Sequence, residues 1–223
     1  MNMQMYEPNS VYIPPGYGKI TFGRTEIKHI LLAVGVLTVA FTIFFSFGYN
    51  IGGLSAAEQV LVFLAISFGA VTTGFMLHEL AHKAVAQRNG AWAEFRAYPM
   101  GLVMSIFFAL LGFILAAPGA VYIQGMISRK QNGIISLAGP LTNIGLAALF
   151  FGLYFVAGGG LLAFAMFQIG FINILLAMFN LLPIPPLDGY KVLKWNVPIY
   201  IAALLTAVVP VALIWSGAVV FGF

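Results

Sequence analysis

The chain has 223 residues, of which 61% are hydrophobic and 7% are charged, and its formal net charge is +4. Soluble globular proteins carry roughly 25% charged residues, so this composition excludes a soluble globular protein and indicates one that lipid covers. The basic excess does not indicate nucleic-acid binding, because the cytoplasmic loops of membrane proteins collect Lys and Arg for reasons of topology.

A polar N-terminal segment precedes a single membrane domain. Residues 1–28 are predicted to be an irregular juxtamembrane segment, and residues 29–223 a transmembrane domain. A bilayer core about 30 Å thick requires roughly 20 helical residues. Ser55 is the predicted N-cap of the second helix, which is long enough to project beyond the membrane. Apolar runs of sufficient length predict helices near Ile30–Tyr49, Ala57–Gln87, Ile134–Val156, Leu161–Leu182 and Ile199–Phe221.

The apolar run Pro99–Ala117 either crosses the membrane or enters it and returns. If it returns, all ten Lys and Arg residues lie on one side, as the positive-inside rule requires. Gly101, Gly112 and Pro118 interrupt the run and also favour a re-entrant segment, whose backbone other helices or water would satisfy. We therefore predict an all-α polytopic protein of the cell membrane with five to six transmembrane helices and a re-entrant or β-hairpin element after the second helix. Its N-terminus and active-site face are predicted to be cytoplasmic, with five spans favoured over six.

The second helix contains the sequence HELAH, from His78 through Glu79 to His82. Residues four apart share one helix face about 6 Å apart along its axis, so the two imidazoles can hold one zinc ion. Glu79 can then reach a water molecule that the metal activates and act as a general base. Ionisable residues within a membrane span usually mark function, which favours a metal site over a chance pattern.

A catalytic zinc ion needs a third protein ligand and an open position for water. The chain has no Cys, three His and six acidic residues, so the candidates are few. His29 lies at the start of the first span, Glu58 lies far from HELAH along the same helix, and Glu94 would have to fold back. Asp188 is the better candidate, because it is the only Asp and lies in the proline-stiffened sequence PIPPLDG. An Asp-Gly turn at the membrane interface explains Asp188 equally well on spacing alone.

Two segments resemble the site-2 protease family of intramembrane zinc proteases. One is residues 78–82 in a transmembrane helix, and the other is NLLPIPPLDG, residues 180–189, about a hundred residues later. The sequence from Gly139 to Asn143 resembles another element of this family, although an interhelical hydrogen bond explains Asn143 as well as a catalytic role does. The matching core covers about residues 57–195.

The resemblance implies one zinc ion per chain, held by His78, His82 and Asp188, with Glu79 as the catalytic acid and base. It also implies that Asn180 lies at the substrate, where its amide would support the peptide or its oxyanion. Taken by itself, Asn180 is better explained as an amide that bonds backbone carbonyls at a helix end.

The predicted function is hydrolysis of peptide bonds in or near transmembrane segments of membrane-protein substrates, as in regulated intramembrane proteolysis. The predicted partners are a transmembrane protein substrate and the lipid bilayer, with no nucleic acid. A membrane metal carrier is one alternative, disfavoured because the polar groups are expected to cluster at one depth. A catalytically silent binding scaffold is another, disfavoured because HELAH and LDG are intact.

Overall fold

The structure is a computed structural model that describes residues 19–114 and 117–219. Along this part of the chain, helices of the membrane domain alternate with short connections and one two-stranded hairpin. In chain order the elements are α1 (Arg24–Gly48), α2 (Ala56–Val71), a π-helical turn (Thr72–Met76), α3 (Leu77–Arg88), β1 (Trp92–Ala97), α4 (Pro99–Leu110), β2 (Gly119–Gln124), α5 (Arg129–Ala157), α6 (Gly160–Asn180), α7 (Asp188–Trp195) and α8 (Val197–Trp215).

Within the described residues, five helices are long and apolar enough to cross a membrane: α1, the continuous α2–α3 rod, α5, α6 and α8. The α2–α3 rod has 33 residues and is therefore about 50 Å long. Helix α4 has only 12 residues, about 18 Å, which is too short to cross a core about 30 Å thick. Because β1 and β2 flank α4 and pair with each other, this segment begins and ends on the same side of the bundle. The predicted polytopic helical fold with a hairpin element after the second helix is confirmed.

All ten basic residues lie on one side of the bundle, which we call the charged side. The five spans alternate in direction, so the start of α1 and the ends of α3 and α6 share this side with the starts of α5 and α8. On the opposite, neutral side, Glu58 is the one charged residue among those that the structure describes. The residues that define the charged side are Lys19, Arg24, Lys28, Lys83, Arg88, Arg96, Arg129, Lys130, Lys191 and Lys194.

The hairpin is antiparallel, with Trp92 opposite Gln124 at one end and Ala97 opposite Gly119 at the other. It lies on the charged side, where β1 contacts α1 and both strands contact α3. Side chains of α1 and α3 therefore have direct access to the two outer edges of the hairpin.

Helix α6 is the centre of the bundle. One apolar cluster joins it to α1, α2 and the hairpin, with Phe41, Phe63, Phe95 and Phe164 among its buried members. A second cluster joins α6 to α5 and α8. Of the five spans, α6 has the largest buried share, so its polar side chains are buried within protein and need hydrogen-bond partners there.

The first helix begins earlier than the hydropathy pattern predicts, at Arg24 instead of near Ile30. Its first turn contains Glu26, whose carboxylate accepts the backbone N–H of Gly23 at 3.3 Å and so satisfies a donor at the helix start. The last residues of the predicted juxtamembrane segment are thus helical, while residues 1–18 lie outside the described part of the chain.

Capping residues account for two further helix starts. The predicted N-cap Ser55 is confirmed, since its hydroxyl accepts the N–H of Glu58 at 3.4 Å. Ser128 caps α5 in the same way by accepting the N–H of Gln131 at 3.2 Å. The polar residues that follow Ser128 therefore belong to α5 and extend it beyond the apolar run. Helix α7, which directly follows the proline-rich turn, is not predicted from hydropathy because it is short and amphipathic.

Candidate metal centre

The π-helical turn and α3 bring two imidazoles side by side. A π-helical turn adds one residue to a helical turn, and such turns occur frequently at functional sites. The α-helix resumes at Leu77, so His78 and His82, four residues apart, lie on one face. Their Nε2 atoms are 3.0 Å apart, and both side chains are buried.

Asp188, the first residue of α7, lies next to the two imidazoles. Its Oδ2 atom lies 3.3 Å from Nε2 of His78 and 3.0 Å from Nε2 of His82. A Cβ atom on Gly189 would lie 2.1 Å from the carbonyl oxygen of Leu181, so only glycine allows α7 to approach the end of α6 this closely. Gly189 is thus a close-contact residue that brings Asp188 to α3.

The hydrogen bonds at the Nδ1 atoms fix both imidazole tautomers. Nδ1 of His82 donates to the carbonyl oxygen of Ile135 at 2.7 Å, and a carbonyl oxygen can only accept. Nδ1 of His78 contacts the side-chain oxygen of Asn143. With a proton on each Nδ1, both Nε2 atoms present lone pairs toward Asp188. This is the arrangement that zinc-binding histidines adopt, with the second nitrogen held by a protein acceptor.

The orientation of the Asn143 amide follows from its other contacts. Its Nδ2 donates to the carbonyl oxygen of Gly74 at 2.7 Å and to the side-chain oxygen of Asn173 at 3.0 Å, which leaves Oδ1 to accept from His78. Asn173 in turn donates to the hydroxyl of Thr73 at 2.9 Å. The π-helical turn therefore supplies two of the groups, at Thr73 and Gly74, that orient the first imidazole through the two amides.

The three converging atoms fit a tetrahedral metal ion. Zinc bonds of about 2.0–2.1 Å imply separations of roughly 3.3 Å between neighbouring ligand atoms, and the three separations here are 3.0–3.3 Å. Gly139 faces the same space from α5, and a Cβ atom there would lie 2.5 Å from both Nε2 atoms. Two neutral imidazoles and one carboxylate form a donor set that suits zinc. The residues present therefore fit a zinc ion.

The Asp188 carboxylate also has a cationic neighbour. Its second oxygen, Oδ1, lies 3.5 Å from the Lys191 ammonium, one turn along α7. The carboxylate thus presents a negatively charged oxygen to the two imidazoles.

Glu79 lies beside the three converging atoms and contacts the hairpin. Its Oε2 atom accepts the backbone N–H of Val121, in β2, at 3.0 Å. Val121 faces Phe95 across the hairpin, and its N–H points outward because Glu79, not β1, receives it. The outer edge of β2 therefore runs past Glu79.

The remaining candidates for the third ligand have other partners. His29 accepts the N–H of Ala97, Glu94 pairs with Arg96, and the Glu58 carboxylate accepts the N–H of Ser55 on the neutral side. Among the described residues, only His78, His82 and Asp188 form a group of three side chains that could hold one metal ion.

Asn180 and Asn143 have different surroundings. The Asn180 side chain donates to the carbonyl oxygen of Leu176 at 2.9 Å, the contact expected of an amide near a helix end. Asn143 makes the interhelical bonds that its position among glycines suggests, and one of them goes to a predicted zinc ligand. A role of Asn180 at the substrate stays a prediction.

Sequence reasoning missed Asn173 and a buried ion pair of Glu26 with Lys83. Asn173 interrupts an apolar run, and a polar residue in such a run is a signal for function or packing. With Asn143, it extends the polar cluster from the imidazoles toward the neutral side, so the expectation that these groups lie at one depth is incomplete. For the ion pair, which joins residues 57 positions apart, the sequence gives no local signal.

Comparison with known proteins connects the geometry to a family. No family model and no solved structure matches the chain. It is 47% identical over 178 residues to "Putative zinc metalloprotease MJ0611" of Methanocaldococcus jannaschii, which covers 78% of this chain and 86% of that protein. It is 32% identical over 175 residues to "Putative zinc metalloprotease YwhC" of Bacillus subtilis, which covers 69% of this chain and 75% of that protein. With a relative this similar over most of both chains, and with the motifs described above, the chain belongs to the site-2 protease family of zinc metalloproteases.

Proposed function

We propose that this protein is an intramembrane zinc endopeptidase that hydrolyses peptide bonds in or near transmembrane segments of membrane-protein substrates. The observation that supports this most directly is the convergence of three lone-pair atoms, from His78, His82 and Asp188, beside Glu79 in a bundle of membrane helices. Three buried groups of this kind need a cation among them. The names of the relatives support zinc and peptide-bond hydrolysis.

In this proposal His78, His82 and Asp188 hold the zinc ion, and Asn143 and the Ile135 carbonyl keep the imidazoles in the required tautomer. Zinc supplies Lewis-acid chemistry, since it polarises a carbonyl and lowers the pKa of water toward neutrality. The absence of a Cβ atom at Gly139 keeps space open next to the two Nε2 atoms. A fourth coordination position on that side is what a catalytic zinc site requires.

Glu79 is the proposed general acid and base. It accepts the proton that water loses as the water oxygen bonds to the scissile carbonyl carbon. It then returns this proton to the amine nitrogen as the carbon–nitrogen bond breaks. The contact of Glu79 with Val121 supports this role, because it keeps the carboxylate at the edge of the strand that the peptide would approach.

The outer edge of β2 is the proposed docking position for the substrate. A helical peptide bond is shielded by its own turns, so the substrate must unwind before hydrolysis. An unwound segment can add as a strand to an exposed edge through backbone hydrogen bonds. Because Glu79 already takes the outward N–H of Val121, a peptide that pairs with the neighbouring backbone groups of this edge passes directly beside Glu79. Asn180, at the end of α6, is proposed to contact the same peptide.

The function is tested with Glu79→Gln in the detergent-purified protein, beside Glu58→Gln as a matched control on the neutral side. The probe is a single-pass peptide with a fluorophore and a quencher flanking about 20 apolar residues. Glu79→Gln is expected to lower kcat by about a hundredfold to ten-thousandfold while zinc stays near one per chain. Glu58→Gln should leave both quantities unchanged. Retained cleavage in Glu79→Gln would refute its role, and zinc flux into sealed liposomes would favour a metal carrier instead.

We also propose that the charged side, with the metal centre nearest to it, faces the cytoplasm, as the positive-inside rule predicts. Since the chain has no Cys, single cysteines introduced at Asn50 and Gln124 report orientation without background. In intact cells, a membrane-impermeant maleimide should label the Asn50→Cys variant and leave the Gln124→Cys variant unlabelled. The reverse pattern would overturn this orientation.

A further inference from the structure

A fully buried ion pair joins α1 to α3 next to the metal centre. The Lys83 ammonium bonds the Glu26 carboxylate, and both side chains have 0% exposure. The same ammonium lies 4.0 Å from the centre of the Phe22 ring, which adds a cation–π contact. Lys83 directly follows His82 in sequence, so this pair ties the metal-binding helix to α1.

The same Glu26 carboxylate also holds the hairpin. Its Oε1 atom accepts the backbone N–H of Phe95, in β1, at 3.0 Å. Two residues along β1, the N–H of Ala97 donates to Nδ1 of His29 at 3.3 Å. Two outward donors of β1 are therefore bonded to side chains of α1, and the outer edge of β1 is closed to a further strand. Of the two edges, β2 is the one that faces the metal centre.

A continuous set of contacts connects this pair to Glu79. Lys83 bonds Glu26, Glu26 bonds the Phe95 N–H, Phe95 faces Val121 across the hairpin, and the Val121 N–H bonds Glu79. The hairpin is thus held between one carboxylate on α1 and another on α3. The position of Val121 relative to Glu79 depends on where Glu26 holds Phe95.

We propose that Glu26, with Lys83 as its buried countercharge, is a positioning residue for catalysis: its bond to Phe95 fixes the hairpin so that β2, and Val121 within it, lies against Glu79. This inference rests on the proposed function of the hairpin edge and of Glu79. Stability alone is a poor explanation of the pair, because a buried ion pair can often be replaced by apolar residues without loss of stability. The bond from Glu26 to a backbone N–H of the hairpin is what such a replacement would remove.

Two double variants separate the positioning role from the charge. In Glu26→Gln/Lys83→Met and in Glu26→Met/Lys83→Met, neither member of the pair is charged, so no buried charge is left without a partner. Gln and Met have similar lengths, but only Gln can accept the Phe95 N–H. The two variants therefore differ in the hydrogen bond to the hairpin and in the longer bond, 3.3 Å, to the Gly23 N–H at the start of α1.

The first readout is amide hydrogen exchange of residues 92–97 and 119–124, which does not depend on activity. The Met/Met variant is expected to exchange the Phe95 and Val121 amides about tenfold faster than the Gln/Met variant, because the anchor of β1 is lost. The second readout is cleavage of the fluorogenic single-pass peptide. The Met/Met variant should lose about tenfold to a hundredfold in kcat, as expected for a misplacement of roughly 1 Å, while zinc per chain stays unchanged. The kcat of the Gln/Met variant should stay within about threefold of the wild-type value, which is a smaller change than the loss expected of the Met/Met variant.

Equal exchange and equal kcat in the two variants would overturn the proposal, and so would loss of zinc together with activity. Failure of both variants to fold would also overturn it, because the pair would then be a requirement of the fold. A failure of the proposed function looks different. In that case wild type does not cleave the peptide, or Glu79→Gln cleaves it as well as wild type does, whatever the exchange data show.

Discussion

Two buried ionic clusters lie next to each other on α3, and they differ in whether the protein completes them. At Lys83, the charge is balanced by Glu26, and the pair has no exposed surface. At His78 and His82, by contrast, two lone-pair nitrogens and a carboxylate oxygen converge within 3.0–3.3 Å. Such a group becomes stable when a cation joins it. Burial of charge therefore does not by itself indicate a metal site, whereas the convergence of three lone-pair atoms does.

The strongest test of this comparison removes the carboxylate of the incomplete cluster. Asp188→Ala should weaken zinc binding by more than about a hundredfold, a larger loss than removal of a residue that only orients a ligand. Metal content is measured after purification in detergent, with Glu58→Gln as a control that removes an acidic group from the neutral side. Zinc that survives Asp188→Ala unchanged would mean that the third ligand is assigned wrongly.

The next test breaks the complete cluster. Lys83→Met leaves the Glu26 carboxylate buried without its cation and is expected to lower the free energy of unfolding by about 3–5 kcal/mol. The Glu26→Gln/Lys83→Met variant should recover most of that loss, since neither member is then charged. Unfolding is followed by circular dichroism in detergent. Equal stability of Lys83→Met and wild type would show that water reaches the pair and that the cluster is not closed.

A smaller effect is expected from the amide that orients His78. Asn143→Leu removes the acceptor at Nδ1 and should weaken zinc affinity by about tenfold to a hundredfold. Asn180→Leu is the matched control, because the Asn180 side chain bonds a carbonyl of its own helix and no zinc ligand. It should leave zinc affinity unchanged and, if it contacts the peptide, raise KM. Affinity is measured by competition with a chelator of known zinc affinity, and equal affinities in both variants would contradict the orienting role of Asn143.

The spans could be predicted from sequence because lipid imposes a length and a composition on each of them. Their ends could not, since a helix such as α5 starts where Ser128 caps it and not where hydropathy rises. The pair of His in α3 is recognisable from sequence because the two residues are four apart. Spacing alone does not select Asp188 as the third candidate ligand, since its approach to α3 depends on the close contact of Gly189 with α6.

Other parts of the site depend on contacts between residues distant in sequence. Lys83 is one of ten basic residues that the positive-inside rule explains, and its neighbours in sequence do not indicate that it is buried. The bonds of Glu26 to Lys83 and to Phe95 become visible only when α1 packs beside α3 and the hairpin. Asn173 did have a signal, since it is an amide within an apolar run, but its partner Asn143 lies 30 positions away.

The one-sided charge distribution also bears on how the chain enters the membrane during synthesis. With the charged side facing the cytoplasm, as proposed above, the connections that cross the bilayer are residues 49–55 and 158–159, which are short and uncharged. In that orientation, Glu58 is the only residue to be translocated among the charged residues that the structure describes. Helices α1 and α2, and likewise α5 and α6, can therefore insert as hairpins whose tips meet a small barrier in the bilayer. The Lys and Arg residues at the other ends of these helices resist transfer across the bilayer and therefore remain on the charged side.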